Sequence, residues 1–284
     1  MKNPSSSTGK VYLVGAGPGA ADLITLRGAR LLAQADIVFH DSLVEPEMLE
    51  LCPQAIKVSV GKRCGKLSSA QQFINKRLID ASKQYKTIVR LKGGDPMLFG
   101  RADEEIQALK AIGIEVEVVP GITAALAGAA SLQQSLTLRE ISRSVAFITL
   151  AQAADGVNAL ASKDKLQPLS NPSADTLVYY MGRKDAVKIA QQLIEQSPNQ
   201  SASTPVHIME AVSTKRERLW SSTLGELATG KANGWFDSAS PALIMIGEVL
   251  RDTRKTLNNS EGPSSEIDNS LQDGQVLANS LRRA

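Results

Sequence analysis

Apolar positions along the chain alternate between two rhythms. Short runs rich in Val, Ile and Leu fall at residues 10–14, 36–40, 55–59, 87–91 and 114–118, and a second series follows at 144–150, 176–180, 205–209, 218–220 and 242–246. Brief β-branched runs bounded by Gly, Pro, Asp or Ser predict strands. Between them, three-to-four periodicity predicts helices, most clearly over 69–84, 101–112 and 184–196. Ser68 or Ser69 is placed to cap the first of these, and Gly113 to end the second. Strand–helix alternation of this kind predicts an α/β fold with largely parallel sheets. A polar break at residues 133–142 divides the pattern into two α/β halves, expected as domains 10–136 and 137–250. Residues 1–9 and 251–284 are polar, Ser/Asn-rich and weakly periodic, and are expected to be flexible tails. No residue-level repeat relates the halves.

Composition narrows the classes. With 284 residues, 43% of them hydrophobic, the chain can bury one large core or two ordinary ones. A net charge of +3 from 32 basic and 29 acidic residues argues against a dedicated nucleic-acid binder. No apolar run reaches the roughly 18–20 residues of a membrane span, and the opening MKNPSSSTGK has no signal-peptide core. Cys52 and Cys64 form no C-x-x-C pair. Neither a disulfide framework nor a Zn-thiolate site is therefore expected, and a reducing, cytoplasmic setting is. His40 and His207 are the only histidines, which leaves little for chemistry built on several imidazoles, and no metal site is expected.

Three motifs sit directly after predicted strands, where open α/β sheets bind ligands. The first, Gly15-Ala16-Gly17-Pro18-Gly19, fits the dinucleotide-binding glycine pattern. Against a pyrophosphate stands Pro18, which has no N–H to offer, and the Ala20-Ala21-Asp22 spacer before the next apolar run. A plain strand–helix turn explains this motif equally well. The second, Arg90-Leu91-Lys92-Gly93-Gly94-Asp95-Pro96, joins a Gly pair that admits close backbone approach to an acceptor carboxylate, and competes with an ordinary turn. In the third, Val119-Pro120-Gly121-Ile122-Thr123-Ala124-Ala125, Thr123 can cap a helix or meet a ligand.

The ordered set VGAGPGAADLITLRGARLLAQADIVFHDSLV, VGKRCGK, INKRLIDASKQYKTIVRLKGGDPMLFGR, EVVPGITAA, LVYYMG and SPALIMIGEVL covers nearly the whole span between the tails. It resembles the tetrapyrrole methylase family, nearest to its uroporphyrinogen-III C-methyltransferase branch. The resemblance implies two α/β domains of the class III methyltransferase type with the active site in the cleft between them. It implies S-adenosylmethionine as methyl donor, with S-adenosylhomocysteine as product. It also implies two transfers onto uroporphyrinogen III, through precorrin-1 to precorrin-2, on the routes to sirohaem, cobalamin or haem d1. A homodimer is implied as well. Position by position, Pro18, Gly93, Gly94, Asp95, Leu98, Thr123, Ala124, Met181 and Val212 are expected to line the donor site. Val212 stands where the family often has a small residue, so it narrows the pocket or offers only its backbone.

The same resemblance gives Asp41 and Lys62 acid–base roles, and makes Arg101, Arg63 and Arg139, with Glu104, candidates for holding substrate carboxylates. Arginine suits that task because its planar fork binds a carboxylate bidentately. Arg101 lies three and four residues before Glu104 and Glu105, spacing that on a helix lets either acid steady the guanidinium. Taken alone, Asp41 also reads as a cap for a helix over 45–51, and each arginine as a solvated surface charge. The chain departs from the family pattern at Ser42, Leu138, residues 149–152, and Ala102-Asp103. These departures fall mainly on the tetrapyrrole side of the site. They motivate the rival readings of a methylase acting later on corrin precursors, or of a donor-binding protein without turnover. An NAD(P) oxidoreductase rests on the first glycine loop alone.

Overall fold

The computed structural model describes residues 8–61, 67–150 and 173–251. The first half is a parallel sheet of β1 (Lys10–Gly15), β2 (Ile37–His40), β3 (Ile56–Ser59), β4 (Thr87–Lys92) and β5 (Val116–Val119), in the order β3-β2-β4-β1-β5. Strand direction is enforced by the connections. Helices α1 (Leu26–Gln34), α2 (Leu67–Ser82) and α3 (Ala102–Lys110), with a 3-10 turn over Pro46–Leu51, carry the chain back across the sheet each time.

Both faces of this sheet are covered, as a parallel sheet requires. On β1, Val11 and Leu13 enter a core with Ile74, Leu78 and Leu109 of α2 and α3, while Val14 enters a second core with Leu32 of α1 and Met48. Full burial of a side chain such as Leu13 stabilises the fold by about 1.5–3 kcal/mol. On β4 the alternation places Val89 and Leu91 on the α1 side, and Ile88, Arg90 and Lys92 on the α2–α3 side.

The second half contains β6 (Val145–Thr149), β7 (Thr176–Tyr180), β8 (Pro205–Glu210), β9 (Arg218–Thr223) and β10 (Ala242–Ile246), ordered β6-β7-β10-β8-β9. Helices α5 (Ala186–Gln196) and α6 (Leu224–Ala228) pack on it. Here the expectation of a largely parallel sheet fails. Only β6 and β7 run parallel, and the other neighbours are antiparallel. Loop 211–217 is too short for a crossover, which takes about a dozen residues, so β8 and β9 form a hairpin. β10 then runs in the same sense as β9 and lies antiparallel between β7 and β8.

Local boundaries also shift. α2 begins at Leu67, so Ser68 and Ser69 lie inside its first turn rather than ahead of it. Past α3, Gly113 takes a left-handed φ of 75° and closes the helix as expected. α4 (Ala124–Leu132) follows β5 and leads to the tight turn pairing Leu138 with Ser142, where the halves meet. The terminal segments 1–7 and 252–284 lie outside the described residues.

Candidate active site

The carboxyl ends of β1, β4 and β5 are knitted together by backbone. Gly17 and Gly94 exchange hydrogen bonds, Gly17 N–H to Gly94 O at 3.2 Å and Gly94 N–H to Gly17 O at 2.7 Å. A Cβ on Gly121 would lie 2.3 Å from Gly94 O and 2.8 Å from Gly15 Cα, so glycine is required there by proximity alone. Gly94 differs: its φ of 68° is left-handed, and nothing lies within 4 Å of where its Cβ would point. Asp95 completes the knot, accepting from Gly121 N–H at 2.9 Å through Oδ2 and from Met97 N–H at 2.7 Å through Oδ1. Both of its carboxylate oxygens thus fasten the loops. Pro18, Gly93 and Leu98 sit half-buried around them.

The first glycine loop does not open a helix. A 3-10 turn over Ala21–Leu23 intervenes, and α1 starts only at Leu26, where the Thr25 hydroxyl already accepts from Gly28 N–H at 3.1 Å. The helix end that would hold a pyrophosphate is therefore not presented to the loop, which removes the geometric basis for a dinucleotide site.

The second half supplies the opposite wall. Ala20 N–H donates to Ser213 Oγ at 3.0 Å, and a Cβ on Gly19 would lie 2.5 Å from Thr214 Cγ2. Val212 turns its side chain into the core with Ala125, Met209 and Leu243, so its main chain faces Gly19. Tyr180, at the end of β7, bonds Thr123 Oγ1 at 2.6 Å and accepts from Ala125 N–H at 3.2 Å. It also packs against Phe99 with ring centroids 5.1 Å apart. Thr123 makes no side-chain cap bond; the Tyr180 hydroxyl takes a helix-start N–H in its place. Burial pushes the Tyr180 phenol up, opposed by these two bonds.

Beside Tyr180, Met181 is 55% exposed with φ 57°. Phe99, Arg101, Ala211 and Ser213 are also left-handed non-glycine residues. Such conformations cost of order 1–3 kcal/mol each and concentrate where structure is held for function.

Asp41 does not cap the 3-10 turn, whose N-cap is Glu45. Its carboxylate accepts from Leu43 N–H at 3.1 Å and from Gly93 N–H at 3.4 Å, next to the Gly-rich loop after β4. Behind it lies a buried charged cluster. Arg90 Nη2 is 3.9 Å from Asp41 Oδ2, and Arg90 Nε donates to Glu105 Oε1 at 3.2 Å. Lys92 Nζ donates to Glu105 Oε2 at 3.0 Å. Burial and the Arg90 charge push the Lys92 ammonium below the ordinary lysine range, with Glu105 opposing.

Arg101 immediately precedes α3 and is held bidentately by Glu104, Nε to Oε1 at 2.6 Å and Nη2 to Oε2 at 2.7 Å. The expectation that Glu105 might share this task fails, because its carboxylate points inward to Arg90 and Lys92. Arg139 lies exposed on the Leu138–Ser142 turn, and no hydrogen bond or ion pair among the described residues joins it to the strand-end loops. Lys62, Arg63, Ala151 and Gln152 lie outside the described residues. Two features have little local signal in the sequence: Tyr180, which stands within LVYYMG, and the pair Arg90 and Lys92, whose only mark is charge alternating inward along a buried strand.

The family model of the Tetrapyrrole (Corrin/Porphyrin) Methylases matches residues 10–228. The chain belongs to the tetrapyrrole methylases. A sirohaem synthase of Pseudomonas fluorescens (strain Pf0-1) is 43% identical to this methylase over 92% of the chain, and the chain covers 54% of that relative. It thus spans about half the length of the curated relatives it matches. Among solved structures, uroporphyrin-III C-methyltransferase of Thermus thermophilus in complex with S-adenosylhomocysteine superposes with a TM-score of 0.70 at 36% identity, over 86% of this chain and 94% of that one. Cobalt precorrin-4 methyltransferase gives 0.67 at 28%, over 86% and 96%. The two-domain class III methyltransferase architecture is thereby established for this family member.

Among the described residues no helix is long and apolar enough to cross a membrane, and no group of His, Cys, Asp and Glu is placed to hold a metal.

Proposed function

We propose that this tetrapyrrole methylase transfers two methyl groups from S-adenosylmethionine to uroporphyrinogen III, by way of precorrin-1 to precorrin-2. The observation that carries the reading is the convergence of the glycine-knitted loops at residues 15–19, 93–95 and 121–124 with the Tyr180 end of β7, next to a carboxylate, Asp41. A donor with an adenosine and a compact sulfonium tail fits this edge. Gly94 leaves open space, Pro18, Leu98 and Met181 give apolar contact, and no helix N-terminus demands a phosphate. The Thermus relative that holds S-adenosylhomocysteine supports the same assignment.

The donor supplies an electrophilic methyl group. The chain's own residues then have three tasks. Pro18, Gly93, Gly94, Leu98, Thr123, Ala124, Met181 and the Val212 main chain hold the donor in line with the ring carbon, and Asp95 keeps their loops together. Asp41, with lone pairs beyond those engaged by Leu43 and Gly93, takes the proton released from the ring, with Lys62 as its acid–base partner. Arg101, fixed by Glu104, binds a substrate carboxylate, with Arg63 and Arg139 as further anchors.

Residues 10–136 and 137–250 are the two domains on this reading, working as a cytoplasmic homodimer. Sirohaem formation is the pathway its Pseudomonas relatives favour. Ser42 and Leu138 in place of the family's basic and polar residues favour a second reading, a methylase acting on a later corrin precursor. Anaerobic incubation of the purified protein with the donor and uroporphyrinogen III, followed by mass spectrometry, tests both. Masses one and two methyl groups heavier support the proposal, and an unchanged porphyrinogen overturns it.

A further inference from the structure

The polar cluster behind Asp41 sits where the α2–α3 side of the first sheet is otherwise apolar. Glu105 is 0% exposed, and each of its carboxylate oxygens meets a different cation of β4, two residues apart on one face of the strand. Gln71 of α2 adds a third donor, Nε2 to Oε1 at 3.2 Å. Arg90 donates to three acceptors, Glu105 Oε1 and the carbonyls of Phe39 (3.4 Å) and Leu91 (3.0 Å), and its Nη2 lies in ion-pair range of the Asp41 carboxylate at 3.9 Å. Arg90 and Lys92 bring two positive charges and Glu105 only one negative. Asp41 is the nearest further anion in ion-pair range, and unlike the others it is partly exposed, at the ligand edge beside Gly93. A buried ion cluster is costly to assemble and gains little net stability over apolar packing, so its geometric role matters more than its energy.

We infer that Glu105 is a positioning residue for methyl transfer: by fixing the Arg90 guanidinium it sets the Asp41 carboxylate against the Gly93 loop. Glu105 lies on α3 directly after the Arg101–Glu104 pair, so one helix registers both the proton acceptor and the carboxylate anchor. The inference rests on the methyltransferase reading above, in which Asp41 takes the ring proton.

The test is Glu105→Gln, which keeps the shape and removes the charge, compared with Asp41→Asn and the double variant. Misplaced catalytic groups cost on the order of 100-fold. The expected result is a fall in kcat of roughly 10- to 100-fold. The KM for the porphyrinogen and the calorimetric Kd for S-adenosylhomocysteine should stay within about threefold of wild type, since neither ligand touches Glu105. The loss should not add to that of Asp41→Asn, because both variants act through one carboxylate. If Glu105→Gln does not fold, Glu105→Asp carries the same test, because it keeps the charge but draws Arg90 back by one methylene. An unchanged kcat in a folded variant, additive losses, or failure of both variants to fold overturns the inference. A wild-type protein that methylates no porphyrinogen overturns the underlying reading, and the inference with it.

Discussion

The Tyr180 hydroxyl lies 2.6 Å from Thr123 Oγ1 and joins the end of β7 to the start of α4 across the two halves of the molecule. The same oxygen accepts from Ala125 N–H at 3.2 Å, so it serves as the cap that the Thr123 side chain does not provide. Tyr180→Phe keeps the ring contact with Phe99 and removes only these two bonds. One hydrogen bond contributes about 0.5–1.5 kcal/mol, and a helix-start N–H left without its acceptor costs more when buried. A loss of about 1–2 kcal/mol is expected in urea unfolding, with an unchanged m value. Donor affinity should fall as well, since Thr123 and Ala124 line the proposed donor site. A variant as stable as wild type would show that the bond is not made in solution.

Gly121 gives a sharper separation of stability from binding. Its missing side chain is what lets the β1, β4 and β5 loops touch, because an added Cβ would press on the Gly94 carbonyl at 2.3 Å. Gly121→Ala should therefore cost about 1–3 kcal/mol, as overpacking does, and should also abolish measurable binding of S-adenosylhomocysteine. Gly113→Ala is the control. That position is left-handed with open space around it, so the substitution costs about 1–2 kcal/mol while donor binding stays intact. Calorimetry on both variants decides the matter, and equal effects on binding would disprove the separation.

Strand positions were legible because β-branched runs mark them whatever their direction. That indifference to direction is why the hairpin at β8–β9 went unread and the second sheet was expected to be parallel. The convergence of the Gly-rich strand-end loops was legible because glycine carries its reason in its own chemistry. Long-range partners were not. Tyr180 lies 57 residues from Thr123, and no local pattern announces such a bond. Spacing also misled at Glu105. The i,i+4 rule holds for neighbours on one helix surface, but Arg101 lies outside α3 with φ 54°, and Glu105 faces β4 instead. Asp41 read equally well as a cap or a functional carboxylate; the structure gives the cap position to Glu45 and sets the Asp41 carboxylate against Gly93 N–H.

Arg101 makes the most exacting test of the substrate side. Its side chain is 37% exposed, and the fork with Glu104 fixes the guanidinium plane before any substrate arrives. As a stabilising pair it is worth little, since exposed ion pairs contribute about 0–1 kcal/mol. As an anchor it is worth more, because a hydrogen bond to a charged group contributes about 1.5–3 kcal/mol. Arg101→Lys keeps the charge and loses the planar fork. At about 1.4 kcal/mol per decade, kcat/KM for the porphyrinogen should fall roughly 10- to 150-fold. Thermal unfolding and donor Kd should stay close to wild type, because the loops of the proposed donor site are knitted by bonds among Gly17, Gly94, Gly121 and Asp95. Glu104→Gln should show a weaker form of the same split, since it frees the fork without deleting it. If Arg101→Lys turns over the porphyrinogen at the wild-type rate, the Arg101–Glu104 pair is a surface contact, and the carboxylate anchor passes to Arg139 or Arg63.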